Sequence, residues 1–162
     1  MHLELVSSRD RSALLAVATA TGLFSEADAE GLLGGVLDAL AADRLSDGSA
    51  AVACRLSQFG PVCGWTYLAP DDHADGVWNL WWLGVEPTAH GSGAAAALLH
   101  HAESHALAHR ARLMIVETSS LDSTARARRF YSREGYAAIG QVPEFYGPGD
   151  DKVIFFRRLG PA

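Results

Sequence analysis

The chain is short of several things, and each shortage removes a class of function. Only two cysteines occur, Cys54 and Cys63. They fall in neighbouring predicted strands, where a bridge is conceivable, but two buried reduced thiols are the expected state. No Cys/His spacing resembles a zinc site. No apolar run approaches ~18 residues, so no membrane-spanning helix and no membrane partner are expected. The N-terminus has neither a basic segment nor an apolar leader core, so a cytoplasmic protein is expected. Basic residues are in deficit: Lys plus Arg number 13 against 19 Asp plus Glu, a formal net charge of −6. That balance counts against nucleic acid and suits an amine-bearing ligand. Repeats and low-complexity linkers are also missing.

What is present fits one domain, residues 1–162. A chain of this length buries roughly 68–70% of its unfolded surface, enough for a core without staples. The pattern predicts a strand over His2–Val6 and a helix over Arg9–Thr21 capped by Ser8. A second helix is predicted from a Ser25 cap to about Ala42, weakened by Gly31, Gly34 and Gly35. Strands follow over Ala50–Gln58, Val62–Ala69 and Val77–Val85, then a helix over Gly91–Arg110. The remainder reads as a strand over Arg112–Thr118, a helix over Asp122–Glu134, and strands over Tyr136–Val142 and Val153–Leu159. The stretch from Pro143 to Asp151 between those last two reads as a loop. The order β-α-α-β-β-β-α-β-α-β-β implies an α/β architecture, a mixed sheet with helices on both faces.

The richest stretch is Val77 to Arg110. An apolar strand ends at Val85, Glu86-Pro87-Thr88-Ala89 follows, and His90-Gly91-Ser92-Gly93-Ala94-Ala95 opens a helix. Free N–H groups at a helix N-terminus form an anion site, and glycine lets a phosphate approach the backbone. A tight turn without a ligand would read the same way. No Gly-Lys-Ser/Thr follows, so this is not a P-loop. Gly91-x-Gly93-x-x-Ala96 formally matches a dinucleotide fingerprint, with Glu117 near the end of the next strand. Against that reading, a Pro-containing loop separates strand from glycines. Only 71 residues follow Gly91, too few for a full doubly wound domain.

Two blocks resemble the GNAT superfamily of acyl-CoA-dependent N-acetyltransferases. Val85-Glu86-Pro87 followed by His90-Gly91-Ser92-Gly93-Ala94-Ala95 is similar to V-x-P, R/Q-x-x-G-x-G/A, with His90 in place of Arg or Gln. Thr124, Ala127, Tyr131, Gly135 and Tyr136 are similar to N-x-x-A-x-x-x-Y-x-x-x-G-F, with Thr124 in place of Asn. The ending from Val142 to Val153 is similar to small bacterial-type members.

The resemblance implies the GNAT fold and acetyl-CoA as acyl donor. It implies direct attack by a primary amine, with a small-molecule amine as the expected partner, and it allows a homodimer. It places Leu83, Gly84 and Val85 against the pantetheine, with strand splaying here and Gly84 as the expected bulge. His90, Gly91, Ser92, Gly93, Ala94 and Ala95 would hold the pyrophosphate, with Thr124 and Tyr131 completing the cofactor set. An N–H near Leu83 or Gly84 would face the thioester oxygen, where one donor is worth about 3 kcal/mol. Tyr131 would be the general acid, since a phenol near 10 stays protonated at neutral pH; otherwise it is a core tyrosine. Glu117 is the first candidate for base, or else a structural hydrogen-bonding residue.

Phe24, Trp81, Glu144 and Tyr146 are the candidate acceptor contacts. Strand alternation sends Trp81 and Trp82 to opposite faces. Glu144, Asp150 and Asp151 would attract the amine or form a solvated turn. His101, His105 and His109 recur at helical spacing, but no carboxylate completes a metal pattern, so no metal is expected. Arg126, Arg128, Arg129 and Arg133 read as a mostly solvated helix face, from which one would reach the ribose phosphate of the cofactor. Two other classes fit the same motifs: a non-catalytic acyl-CoA sensor and a dinucleotide-binding domain.

Overall fold

The computed structural model describes residues 1–42 and 44–160, and its elements follow one another in the expected order. Asp43 and the last two residues of the 1–162 domain lie outside the described residues. The strands are β1 (His2–Leu5), β2 (Ala50–Arg55), β3 (Val62–Pro70), β4 (Val77–Val85), β5 (Leu113–Ser119), β6 (Ala137–Gly147) and β7 (Asp150–Arg158). The helices are α1 (Arg11–Ala20), α2 (Glu26–Ala41), α3 (Ala94–Ala108) and α4 (Ala125–Arg133). One sheet joins the strands in the order β1-β2-β3-β4-β5-β7-β6. The pair β4–β5 is parallel, and the other neighbours are antiparallel.

Alternation along β2 shows how the layers form. Ala53 packs with Leu14, Val17, Leu33 and Leu37 of α1 and α2. Val52 and Cys54 point the other way, to Leu98 of α3. Cys54 and Cys63 are buried free thiols. Leu98, Leu99, Ala102 and Ala106 form the buried stripe of α3, at helical spacing. Under α3 and α4 lies the cluster of Leu80, Met114, Val116, Tyr131, Tyr136 and Phe155.

The sheet forks in the middle. Strands β4 and β5 pair only from Val77↔Leu113 to Leu80↔Val116. Beyond that point β4 stays with β3 as far as Val85↔Gly64, and β5 stays with β7 as far as Ser119↔Lys152. The register of β3 on β4 slips where Leu68 faces Leu80 and Tyr67 faces Trp82, leaving Trp81 as the extra residue. The bulge is therefore at Trp81, where Gly84 had been expected. It reverses the side-chain phase: Trp78 and Leu80 face α3, whereas Trp82 joins the α1/α2 layer. Gly84 has a different task, since a Cβ there would lie 2.4 Å from the Trp82 ring.

Several boundaries move for local reasons. Helix α3 starts at Ala94 because Gly93 has φ +90, outside helical backbone. Ser7 replaces Ser8 as the first cap, its N–H and hydroxyl both donating to Asp10. Ser25 caps α2 as expected, accepting from the Asp28 N–H. The expected loop Pro143–Asp151 is instead the end of a hairpin. Asp151 accepts from the Glu144 N–H and the Gln141 amide, and so holds a wide irregularity in β6 together. Pro143 and the exposed aromatics conceal that strand in the sequence.

Candidate active site

A cleft of about 520 Å³ opens on the α3/α4 face at the fork. Leu83, Gly84 and Val85 line it from β4, Gly91, Gly93, Ala94, Ala95 and Ala96 from the head of α3, and Thr124, Ala127 and Tyr131 from the α4 region. Thr21 and Leu23, from the turn between α1 and α2, close one end.

The glycine turn presents bare amides. Ser92 N–H bonds back to Ala89 O, and Ala97 N–H begins the helical ladder on Gly93 O. Among the described residues, the N–H groups of Gly91, Gly93, Ala95 and Ala96 have no protein acceptor. They sit at the positive end of a four-turn helix and face a cleft. Gly91 and Gly93 have φ +83 and +90, backbone that other L residues rarely adopt. A Cβ at Gly91 would meet nothing within 4 Å, and one at Gly93 only Met1 Cε at 3.8 Å. Glycine is required here by conformation, and the space beside it is open. The cradle therefore suits a diphosphate.

The expected polar contacts around it behave differently. Nε2 of His90 lies 3.0 Å from Val85 O, which ties the turn to the end of β4. The Ser92 hydroxyl donates to Ala89 O, and Ser92 does not line the cleft. The Thr124 hydroxyl donates to Ser119 O at 2.7 Å and accepts from Arg128, so it is occupied in shaping the loop. Arg128 is no solvated side chain: its Nη1 also donates to the Ser119 and Leu121 carbonyls. Arg126, Arg129 and Arg133 line the cleft and make it cationic within an acidic chain.

Tyr131 is 6% exposed and wedged among Phe130, Tyr136 and Phe155. Among the described residues its hydroxyl bonds to no protein group, and the ring borders the cleft. Burial pushes its phenol well above the ordinary range, so the proton is held at neutral pH. Neighbouring Tyr136 donates to the buried Glu103 carboxylate, which also accepts from Arg157. That network anchors one wall of the Tyr131 pocket.

The opposite face of the fork carries a second group. Met114 and Val116 face α3, so Ile115, Glu117 and Ser119 face the α1/α2 side. Glu117 is the first β5 residue past the last β4–β5 pair. Its Oε2 lies 2.6 Å from Nζ of Lys152, a residue that the sequence reading did not single out. Lys152 Nζ stands 3.5 Å above the Phe145 ring, and Phe145 meets Tyr146 edge-on. Burial, then the charges of Glu117 and Asp150, push the Tyr146 phenol up, so Tyr146 belongs to this group. Glu144 is drawn into the hairpin by its backbone, at φ +51, and its carboxylate accepts from the Gly149 N–H. Asp150 accepts from Ser119. These acids lie at the solvated end of the hairpin, with Glu144 exposed and Asp150 and Asp151 partly so.

On the β4 side of that face, Phe24 packs on Trp82 at 5.9 Å and Trp82 on Trp65 at 5.5 Å. The buried Trp82 Nε1 has no partner among the described residues. Trp81, the bulged residue, is 59% exposed. The expected acceptor contacts thus divide between two flanks, Phe24 on one and Tyr146 on the other.

The histidines on α3 are engaged elsewhere. Nε2 of His105 lies 2.7 Å from Gly48 O, and the His105 and His109 rings pack against Trp78. Among the described residues no group of three His, Cys, Asp or Glu is arranged for a metal ion. A second depression of about 680 Å³, at the far end of β4, is lined by Asp47, Asp71, Asp72, His73, Asp75 and Arg110. Its aspartates outnumber its one arginine, which makes it unsuited to a phosphate.

Comparisons with known proteins identify the family. The acetyltransferase (GNAT) domain model matches residues 47–138, more than half of the chain. The chain belongs to the GNAT acetyltransferase family. Among solved structures, a GNAT-family protein from Desulfovibrio desulfuricans is 26% identical, with a TM-score of 0.85 over 98% of both chains. An aminoglycoside 6'-N-acetyltransferase complexed with coenzyme A is 16% identical, with a TM-score of 0.77 over 100% of this chain and 99% of that one. The ribosomal-protein-S18-alanine N-acetyltransferase of Escherichia coli is 14% identical, with a TM-score of 0.74 over 99% of this chain and 95% of that one. No curated protein matches the chain. Among the described residues no helix is long and apolar enough to cross a membrane.

Proposed function

We propose that this chain is a single-domain N-acetyltransferase that moves the acetyl group of acetyl-CoA to a primary amine of a small molecule. One observation carries the reading: at the head of α3, four amides without a partner among the described residues share a cleft with a buried tyrosine whose hydroxyl bonds to none of those residues. The amides suit the diphosphate, and the exposed edge of β4 at Leu83–Val85 suits an extended amide chain. Arg126, Arg129 and Arg133 supply positive charge for further phosphate.

Tyr131 is placed to protonate a departing thiolate. Burial raises the phenol further above a free thiol, which titrates near 8.5, so transfer to the thiolate is uphill alone and is drawn forward as the tyrosine regains a proton. Glu117, on the other face of the fork, would take the proton of the incoming amine. Its charge is balanced by Lys152 at rest. The unpartnered Nε1 of Trp82 is a donor for a polar group of the acceptor, since a buried orphan donor costs roughly 1–3 kcal/mol until it is met. The compartment is reducing, such as the cytoplasm, which the two free thiols suit.

Melting temperature measured with acetyl-CoA, CoA and NADH tests the cofactor. Stabilisation by the first two is expected, and stabilisation by NADH alone would overturn the reading. Release of free thiol across a panel of amines then separates an enzyme from a sensor. Binding without release from any amine would make the chain a sensor.

A further inference from the structure

Lys152 is the only lysine in the sequence; every other member of the 13 Lys plus Arg is arginine. Lysines normally lie in solvent, yet this side chain is 13% exposed. Its ammonium is held between the Glu117 carboxylate at 2.6 Å and the face of Phe145 at 3.5 Å. A carboxylate plus an aromatic face is how a site recognises a primary ammonium.

The place matters as much as the partners. Glu117 lies just beyond the last β4–β5 pair, at the fork. Ser119 faces Lys152 across the antiparallel β5–β7 pair, so Lys152 shares the face of Glu117 and Ser119. Tyr131 packs on the other face. A thioester entering the fork from the cleft would meet an amine on one side and the phenol on the other.

Resting on the acetyl-CoA reading above, we propose that the Lys152 side-chain amine is itself an acetyl acceptor, modified by this chain's own site. Glu117 stands at hydrogen-bond reach of the nitrogen, as a base must stand to its nucleophile. It removes one proton from the ammonium. The neutral amine attacks the thioester carbonyl, a C–N bond forms, the C–S bond breaks, and the thiolate leaves. Tyr131 protonates the thiolate and recovers a proton from the acylated nitrogen, while the proton on Glu117 passes to solvent. The products are Nε-acetyl-lysine and free CoA. The neutral amide no longer pairs with Glu117, which leaves that carboxylate open to an incoming amine.

The test is incubation of the full chain with acetyl-CoA, followed by intact mass and fragmentation, beside melting temperature in the same buffer. One acetyl group on Lys152 is expected, lost in Lys152→Arg, suppressed by excess CoA, and slowed about 10²-fold in Glu117→Gln. Stabilisation by acetyl-CoA with Lys152 unmodified overturns the proposal and leaves the cofactor reading standing. Neither stabilisation nor modification removes both. Modification confined to the Met1 amine, or undiminished by CoA, is solution chemistry and also overturns it.

Discussion

The two faces of the fork are built from different materials. On the α3/α4 face the polar groups that line the cleft are largely main-chain: the amides of Gly91, Gly93, Ala95 and Ala96 and the edge of β4. On the α1/α2 face the groups are side chains drawn from distant segments: Phe24, Trp82, Glu117, Phe145, Tyr146 and Lys152. On the proposed function, the main-chain cradle would bind the donor and tolerate side-chain changes such as His90 and Thr124, and the side-chain wall would choose the acceptor.

Substitutions on the two faces should therefore separate donor from acceptor effects. The largest is expected from Tyr131→Phe, which removes the proton but keeps the ring among Phe130, Tyr136 and Phe155. Turnover should fall about 10²–10⁴-fold with unchanged acetyl-CoA affinity by calorimetry. An unchanged rate would remove Tyr131 from the chemistry. Because burial raises this phenol, its deprotonation should cause no loss of kcat below pH about 10 in the parent enzyme.

Gly93→Val comes next. A branched residue at φ +90 strains the turn by about 1–3 kcal/mol, so the acetyl-CoA Kd should rise roughly 10- to 100-fold. Normal affinity would mean that the cradle lies elsewhere.

Gly84→Ala sharpens the contrast, because its effect should cross the sheet. The new Cβ drives against the Trp82 ring, and such overpacking costs about 1–3 kcal/mol in denaturant unfolding. The acceptor KM should rise more than that of acetyl-CoA. The reverse ranking would place Trp82 outside the acceptor wall.

Thr124→Val should cost only about 1 kcal/mol of stability, through lost bonds to Ser119 and Arg128, and leave acetyl-CoA binding unaltered. A large loss of affinity would return Thr124 to the cofactor set.

The smallest effect concerns acid. Hydrogen bonds from Glu144 N–H and the Gln141 amide lower the Asp151 carboxyl below its ordinary range. Its stabilisation is present above that range and fades as pH falls through the lowered value. The melting-temperature gap between Asp151→Asn and the parent should close in acid; a gap that stays constant would mean that ionisation is irrelevant.

Much of the α3/α4 face was legible because its signals are local. Val85-Glu86-Pro87, the paired glycines and Tyr131 lie in contiguous blocks whose spacing reports a strand end, a turn and a helix face. The element order was legible for the same reason. The α1/α2 face of the fork was not. The bulge at Trp81 depends on which residue of β3 faces which residue of β4, and a one-residue slip changes no local pattern. Lys152 reads as an ordinary charge until β7 is set beside β5. Its being the only lysine was the one signal available. The hairpin from Val142 to Asp151 was hidden by Pro143, the two glycines and exposed aromatics, which resemble loop composition.

By itself, the sequence determined the family, the order of strands and helices, and the amide cradle at the head of α3, because backbone conformation at Gly91 and Gly93 is a property of those residues. The family resemblance implied that β4 and β5 splay, but only the tertiary structure decided that they part after Leu80 and Val116. It also decided that Trp82 turns away from Trp78, and that Glu117 meets Lys152. Those outcomes follow from pairing register between segments far apart in the chain, which no local propensity encodes.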